Sequence, residues 1–208
     1  MDRKSNILKR FIIYMAILTF VMFTVWAFVK SFMNRPPGDY HTEVCDIRLK
    51  DKKYDEALDA ANIALEKTPN HRGAIMCRAL IFISEKKYFK ATKELSYLIN
   101  FLENNLDNDD KTGIGTLAAA YANRGIVKDR QKNYEGALKD YVKALGIDHE
   151  AVAGPGLGTI ILNYKFKSSS VRERALYLNE QLQLPEEDRI LRIEKLDEGQ
   201  VMHKPGKL

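Results

Sequence analysis

The residues of this 208-residue chain that could bind a metal ion are its histidines and one acidic cluster. Asp107, Asp109 and Asp110 lie together, as carboxylates do in calcium-binding loops. A calcium loop that began at Asp107 would need a glutamate where Ala118 stands, and it also lacks the central glycine. We therefore predict that the cluster lies in a solvated linker. The histidines are well separated, so no two of them have metal-ligand spacing: His41, His71, His149 and His203.

The glycine-rich segment 154–158, Gly-Pro-Gly-Leu-Gly, has the composition of a phosphate-binding loop. Such a loop follows a strand and is completed by a lysine and a serine or threonine directly after its last glycine. This segment follows a helical pattern, and no lysine comes directly after Gly158. We interpret it as a helix break. Because the sequence offers no other constellation of reactive residues, we expect no enzyme activity, no metal, no cofactor and no small-molecule substrate.

Segment by segment, apolar residues recur at the spacing of an α-helix, most clearly in residues 121–146. Segment 121–146 is predicted to form two helices that meet at a turn near Lys132 and Asn133. In the second helix, apolar residues recur at spacings of three and four: Tyr134, Ala137, Leu138, Tyr141, Ala144 and Leu145. Gly125 in the first helix and Ala137 in the second are small, so we expect the two helices to approach closely there.

The second half of this pattern occurs three times along the chain. Tyr54, Tyr88 and Tyr134 each precede an alanine by three residues: Ala57, Ala91 and Ala137. The first two tyrosines are 34 residues apart, and the second and third are 46 apart. We assign the surplus of 12 residues to the polar run 103–113, as an insertion between repeats.

On these motifs the chain resembles the tetratricopeptide-repeat (TPR) proteins, whose unit is a helical hairpin of 34 residues. The resemblance implies an all-α fold, with a superhelix of three helical hairpins in residues 40–150. The hairpins are predicted at about 40–70, 71–104 and 117–149. Two helices within 151–192 are expected to form a degenerate hairpin that caps the superhelix, followed by an extended tail, 193–208.

The resemblance also implies a binding groove along the first helices of the hairpins. On the second and third hairpins that side is apolar, and we expect it to hold a protein partner: Met76, Leu80, Ile83, Ala119, Ala122 and Ile126. The alternative occupant is the chain itself, because residues near its end could fold back into the groove: Ile190, Leu191, Ile193 and Leu196. A partner is the favoured interpretation, since proteins of this family usually hold their ligands on the inner surface.

Cys45 and Cys77 lie in the first helices of consecutive hairpins, which stack side by side in tetratricopeptide repeats. Both occupy apolar helix faces, where a free cysteine packs as a small hydrophobic residue. That is the favoured interpretation. A disulfide is the alternative, if the compartment is oxidising and the two Cα atoms lie within about 7 Å.

Residues 11–29 form an uncharged apolar run of 19 residues, which as a helix spans roughly 28 Å and matches the hydrocarbon core of a bilayer. We predict an uncleaved transmembrane helix, because the run is long for a signal peptide and no small-residue cleavage site follows it. Pro36 and Pro37 end this helix, so 30–39 is a short linker. The predicted anchor residues are Phe11, Ile12, Ile13, Leu18, Phe20, Val21, Phe23, Val25, Trp26, Phe28 and Val29.

The excess positive charge is confined to the N-terminal segment. Residues 1–36 carry a net charge of +5, which equals that of the whole chain, so the remainder is balanced and nucleic acid is not an expected partner. Four basic residues in 1–10 precede the apolar run, whereas only Lys30 and Arg35 follow it closely. The positive-inside rule therefore predicts a cytoplasmic N-terminus, with the repeats on the periplasmic or outer side of the cytoplasmic (inner) membrane.

These features together suggest a membrane-anchored adaptor. We expect it to recruit or assemble the subunits of a membrane complex, of the kind found in translocation, secretion or respiratory-complex assembly. The alternative is a constitutive structural subunit of one large membrane complex, with its groove permanently occupied.

Overall fold

The computed structural model describes residues 2–33, 35–150, 152, 170–193, 200 and 202–203. All regular structure in these ranges is helical, which confirms the predicted all-α class. The α-helices are α1 (Asp2–Met33), α2 (Asp39–Lys50), α3 (Tyr54–Lys67), α4 (Arg72–Ser84), α5 (Tyr88–Asn105), α6 (Lys111–Arg130), α7 (Tyr134–Ile147) and α8 (Val171–Leu182), and a 3-10 helix spans Glu186–Asp188.

Six of these helices form three hairpins, because α2 packs on α3, α4 on α5 and α6 on α7. The hairpins stack through contacts of α3 with α4 and of α5 with α6. Their first helices, α2, α4 and α6, also contact one another in that order. This arrangement buries a main hydrophobic core and a smaller cluster where α2 and α3 meet α4, and α4 supplies nine buried side chains. The all-round apolar character of α4 follows from its position between two neighbouring hairpins.

The turns inside the three hairpins have the same geometry. Lys52, Lys86 and Lys132 all adopt left-handed backbone conformations, with φ of 60°, 60° and 64°. In each turn the next amide donates to a carbonyl five residues earlier, from Lys53 to Arg48 at 2.9 Å and from Lys87 to Phe82 at 2.8 Å. Asn133 donates to Lys128 in the same way, at 2.9 Å. This bond closes the helix end in the manner of a Schellman motif.

The close approach inside the third hairpin depends on Gly125 of α6. A Cβ atom added there would lie 2.6 Å from ring carbons of Tyr141, a distance at which atoms collide. Tyr141 of α7 is fully buried beside it. The small residues Gly125 and Ala137 predicted the close approach, but the ring of Tyr141 lies nearer to Gly125 than Ala137 does.

The cluster Asp107, Asp109 and Asp110 lies in the non-helical connection between α5 and α6, where Asp107 and Asp109 are exposed, which agrees with the predicted solvated linker. The two ends of the predicted insertion 103–113 belong to helices. Helix α5 continues to Asn105 and α6 begins at Lys111, which leaves 106–110 as the connection. Asp110 caps α6 by accepting from the Gly113 amide at 2.8 Å, and it also pairs with Arg72. The arginine and the two hydrogen bonds hold the pKa of Asp110 below its ordinary value. The surplus residues therefore lengthen two packed helices.

A disulfide joins Cys45 of α2 to Cys77 of α4, with the Cα atoms 6.5 Å apart. The favoured interpretation of two free cysteines was therefore wrong. Both residues are fully buried where the first helices of two hairpins touch. Sequence alone could not choose between the alternatives, because the outcome depends on the spacing of α2 and α4.

Helix α8 packs on α7 at the far end of the stack. It begins with the predicted capping box, in which Ser170 accepts from the Glu173 amide and Glu173 accepts from the Ser170 amide, both at 3.1 Å. The other helix expected for this degenerate hairpin, and the glycine-rich segment 154–158, lie outside the described residues.

Helix α1 contains one stretch, Ile7–Lys30, that is long and apolar enough to cross a membrane, with a hydropathy of 2.3. Its large apolar side chains from Ile7 to Val29 are exposed. A signal sequence near an N-terminus can also form a long apolar helix, so this observation fits a membrane span without distinguishing the two.

Candidate functional site

The six residues predicted to line the groove lie on α4 and α6, and all are buried. None is more than 4% exposed, and all belong to the main hydrophobic core: Met76, Leu80, Ile83, Ala119, Ala122 and Ile126. Met202 and Leu191, from the C-terminal part of the chain, pack against the same core. The groove side of α4 and α6 is therefore covered in this structure.

Asn123 of α6 holds His203 by its main chain. The Asn123 side-chain Nδ2 donates to the His203 carbonyl at 2.6 Å, and its Oδ1 accepts from the His203 amide at 2.8 Å. One side-chain amide thus satisfies both polar main-chain groups of a single residue. Such a contact is independent of the bound residue's side chain. It is suited to an extended segment, whose main-chain groups are not engaged within a helix.

A buried polar network anchors Gln200, three residues before His203. The Gln200 amide Nε2 donates to the carboxylate of Asp129 and to the hydroxyl of Tyr141, both at 3.2 Å. The Tyr141 hydroxyl also donates to Asp129, at 3.2 Å. Burial, and then the charge of Asp129, raises the pKa of Tyr141 well above its ordinary value, so the phenol remains a hydrogen-bond donor.

Arg174 of α8 supplies the positive charge for this network. Its Nε and Nη2 donate to the two carboxylate oxygens of Asp129, each at 2.8 Å. Nη2 also donates to the Leu191 carbonyl at 2.9 Å, and the Tyr177 hydroxyl donates to the Ile190 carbonyl at 2.5 Å. Helix α8 therefore fixes the start of the C-terminal segment, while α6 and α7 fix Gln200 and His203.

The structure thus supplies the second of the two expected occupants, and Leu191, one of the four residues expected to fold back, packs against the core. Ile190 is 63% exposed, and Leu196 lies outside the described residues. Gln200, Met202 and His203 make further contacts, which were not predicted. Two polar residues on the apolar stripe of α6, Asn123 and Asp129, were a signal for this site that sequence analysis missed.

His203 is the titratable residue at the centre of the site. It is 8% exposed, and burial lowers its pKa from 6.5 to about 4. The imidazole is therefore neutral at physiological pH. Within the described part of the chain, no group of three or more histidines, cysteines or carboxylates is placed to hold a metal ion.

Stacked helical hairpins with one repeated turn define an α-helical repeat protein. The repeat fold is that of tetratricopeptide-repeat domains, as the sequence predicted. The first TPR domain of Spaghetti (RPAP3), bound to the HSP90 peptide SRMEEVD, is 18% identical with a TM-score of 0.50, over 71% of this chain and 94% of that one. An Arabidopsis OM64 TPR domain is also 18% identical, with a TM-score of 0.45 over 55% of this chain and 84% of that one. No family model and no curated protein matches the sequence.

Proposed function

We propose that this chain is a membrane-anchored TPR scaffold that holds a partner protein and helps to assemble or recruit a membrane complex. The observation that carries the proposal is the contact of Asn123 with both main-chain groups of His203. It supports a groove built to hold a peptide segment by its main chain. The Spaghetti domain, which is similar in fold, is bound to a peptide, and this supports the same role.

Two features support a position on the outer side of a cytoplasmic membrane. Arg3, Lys4, Lys9 and Arg10 precede the apolar part of α1, where the positive-inside rule expects the cytoplasmic flank. The Cys45–Cys77 disulfide is typical of an oxidising compartment, such as a periplasm, and is rare in a cytosol. The basic flank and the disulfide thus favour the same side of the membrane for the repeat domain.

The scaffold role is tested by chemical crosslinking in native membranes, followed by purification of the full chain in detergent and identification of the captured proteins. The matched control is α1 fused to an unrelated soluble domain. We expect specific partner proteins with the full chain and none with the control. Identical captures from both proteins would contradict the proposal.

A constitutive structural subunit is the second candidate, and the filled groove favours it. With Gln200, Met202 and His203 docked, the groove needs no partner to cover its apolar side chains. A structural subunit should co-purify with its complex at a fixed ratio without crosslinker, whereas a recruiting scaffold should be recovered at a variable ratio.

A further inference from the structure

A cleft of about 850 Å³ remains open while the C-terminal segment is docked. It lies at the edge of the stack where the three hairpin turns meet, and the turn residues Lys52, Lys86 and Lys132 line it. Gln200 and Met202 of the docked segment form another wall. The walls of the cleft therefore come from the hairpin turns and from the C-terminal segment. Neither Asn123 nor His203 lines it.

The described lining of this cleft is strongly basic. Arg130 and Arg192 add to the three turn lysines, so five cationic side chains face one volume. Asp129 is the one acidic residue among the described lining residues, and Arg174 already neutralises it through two hydrogen bonds. The turn lysines form no salt bridge within the described ranges. Since residues after 36 are balanced in charge, this local excess is a property of the fold.

The spacing of the lysines suits an extended chain. They occupy equivalent positions after α2, α4 and α6, and packed helices lie about 8–10 Å apart. An extended peptide advances about 3.3 Å per residue, so neighbouring lysines are separated by roughly three residues of such a peptide. Tyr54, Tyr88 and Tyr134, two residues after each lysine, also line the cleft.

We propose that this cleft binds an acidic, extended segment of the partner protein. The inference rests on the proposed scaffold function and names the chemistry of the partner. A peptide is favoured over an anionic lipid surface because α2 separates the turn at Lys52 from Gly38, where the chain arrives from α1. That helix has 12 residues and is roughly 18 Å long, so the basic edge is displaced from the anchor.

The test uses the full chain in a nonionic detergent and a short fluorescein-labelled peptide of alternating aspartate and glutamate. Replacing the turn lysines together, as Lys52→Gln, Lys86→Gln and Lys132→Gln, should raise the Kd about tenfold, because three partly exposed ion pairs are lost. The matched control, Lys93→Gln, Lys111→Gln and Lys143→Gln, makes the same change in net charge outside the cleft lining and should leave the Kd within about twofold. Added salt should weaken binding by the wild type.

Several outcomes would overturn the inference. Equal losses in the two triple variants would show an unspecific charge effect, and equal sensitivity of a single-stranded DNA oligomer to the turn lysines would show a general anion site. Binding that appears only after Asp197→Asn and Glu198→Gln would assign the cleft to the chain's own acidic residues. If crosslinking captures the same partners from the wild type and the turn-lysine variant, the scaffold role stands and the acidic-partner inference fails.

Discussion

Arg174 and Asp129 form an ion pair with two hydrogen bonds that joins α8 to α6, and their side chains are 1% and 5% exposed. Water cannot compensate either charge if the other is removed. Arg174→Met should therefore lower the free energy of unfolding by about 3–5 kcal/mol, because it leaves Asp129 buried and unpaired. Urea unfolding of the full chain in detergent measures this change. Arg172→Met, on the exposed face of the same helix, is the control and should stay within about 0.5 kcal/mol.

Asn123→Ala should release the end of the chain without unfolding the hairpins. The substitution removes both hydrogen bonds to the His203 main chain and leaves those groups without their partner, at a cost of about 2–3 kcal/mol. Hydrogen exchange at residues 200 to 203 should accelerate, while exchange in α4 and α6 remains slow. Asn100→Ala, at an exposed position on α5, should change neither. Unchanged protection at residue 203 in Asn123→Ala would refute the docking geometry.

Deletion of the C-terminal segment tests what covers the groove. A chain that ends after Ile193 lacks Gln200, Met202 and His203, so part of the apolar side of α4 and α6 should become exposed. Exposed apolar surface of that kind promotes association, and we expect a lower melting temperature or self-association in light scattering. A chain that ends after His203 keeps the described contacts and should behave as the wild type. Identical behaviour of the two truncations would mean that the segment contributes nothing to stability.

Acid should weaken the docking of this segment through His203. The buried imidazole has a pKa of about 4, against an ordinary value of 6.5, so the released segment binds a proton more readily than the docked one. Docking is therefore fully favourable above about pH 6.5 and is lost as the pH falls towards 4, with a loss of about 2 kcal/mol at pH 5.

Hydrogen exchange at residues 200 to 203, compared at pH 7 and pH 5 after correction for intrinsic rates, measures this dependence. His203→Leu removes the titrating group and should abolish the difference between the two pH values. His149→Leu, at an exposed position, should retain it. Wild-type protection that is equal at both pH values would contradict the assignment to His203.

The predicted topology is tested with a reporter enzyme that is active only outside the cytoplasm, fused after Leu208. We expect an active fusion, because the basic flank before α1 favours a cytoplasmic N-terminus. A reporter that works only in the cytoplasm, fused at the same point, should be inactive. The opposite pair of results would place the repeats in the cytoplasm.

Local patterns were sufficient to predict the repeats. Tyr54, Tyr88 and Tyr134 recur with alanines at fixed offsets, and each begins the second helix of an observed hairpin. Apolar spacing of this kind follows directly from helix geometry, so it can be recognised in the sequence. The start of α6 at Lys111, six residues before the predicted third hairpin, was missed because polar residues at the beginning of a helix resemble a linker.

The contacts that define the site could not be predicted in this way. Asn123 and His203 are 80 residues apart, and no period connects them. Gln200 lies in a polar part of the sequence, and its burial depends on Asp129 and Tyr141, which come from two other helices. Which segment binds in the groove is therefore decided only when the helices have packed together.

The Cys45–Cys77 disulfide has a mechanical consequence for a protein tethered by α1. In a stack of repeats the terminal unit has a neighbour on one side alone, so it is the first to fray. Here the terminal unit is the α2–α3 hairpin, which follows α1 directly in the chain, so a force applied through α1 reaches this hairpin first. The covalent bond from α2 to α4 carries such a force past the first hairpin and into the second. In the proposed membrane-anchored scaffold, tension between the membrane and a partner would be transmitted through this bond to the buried α4.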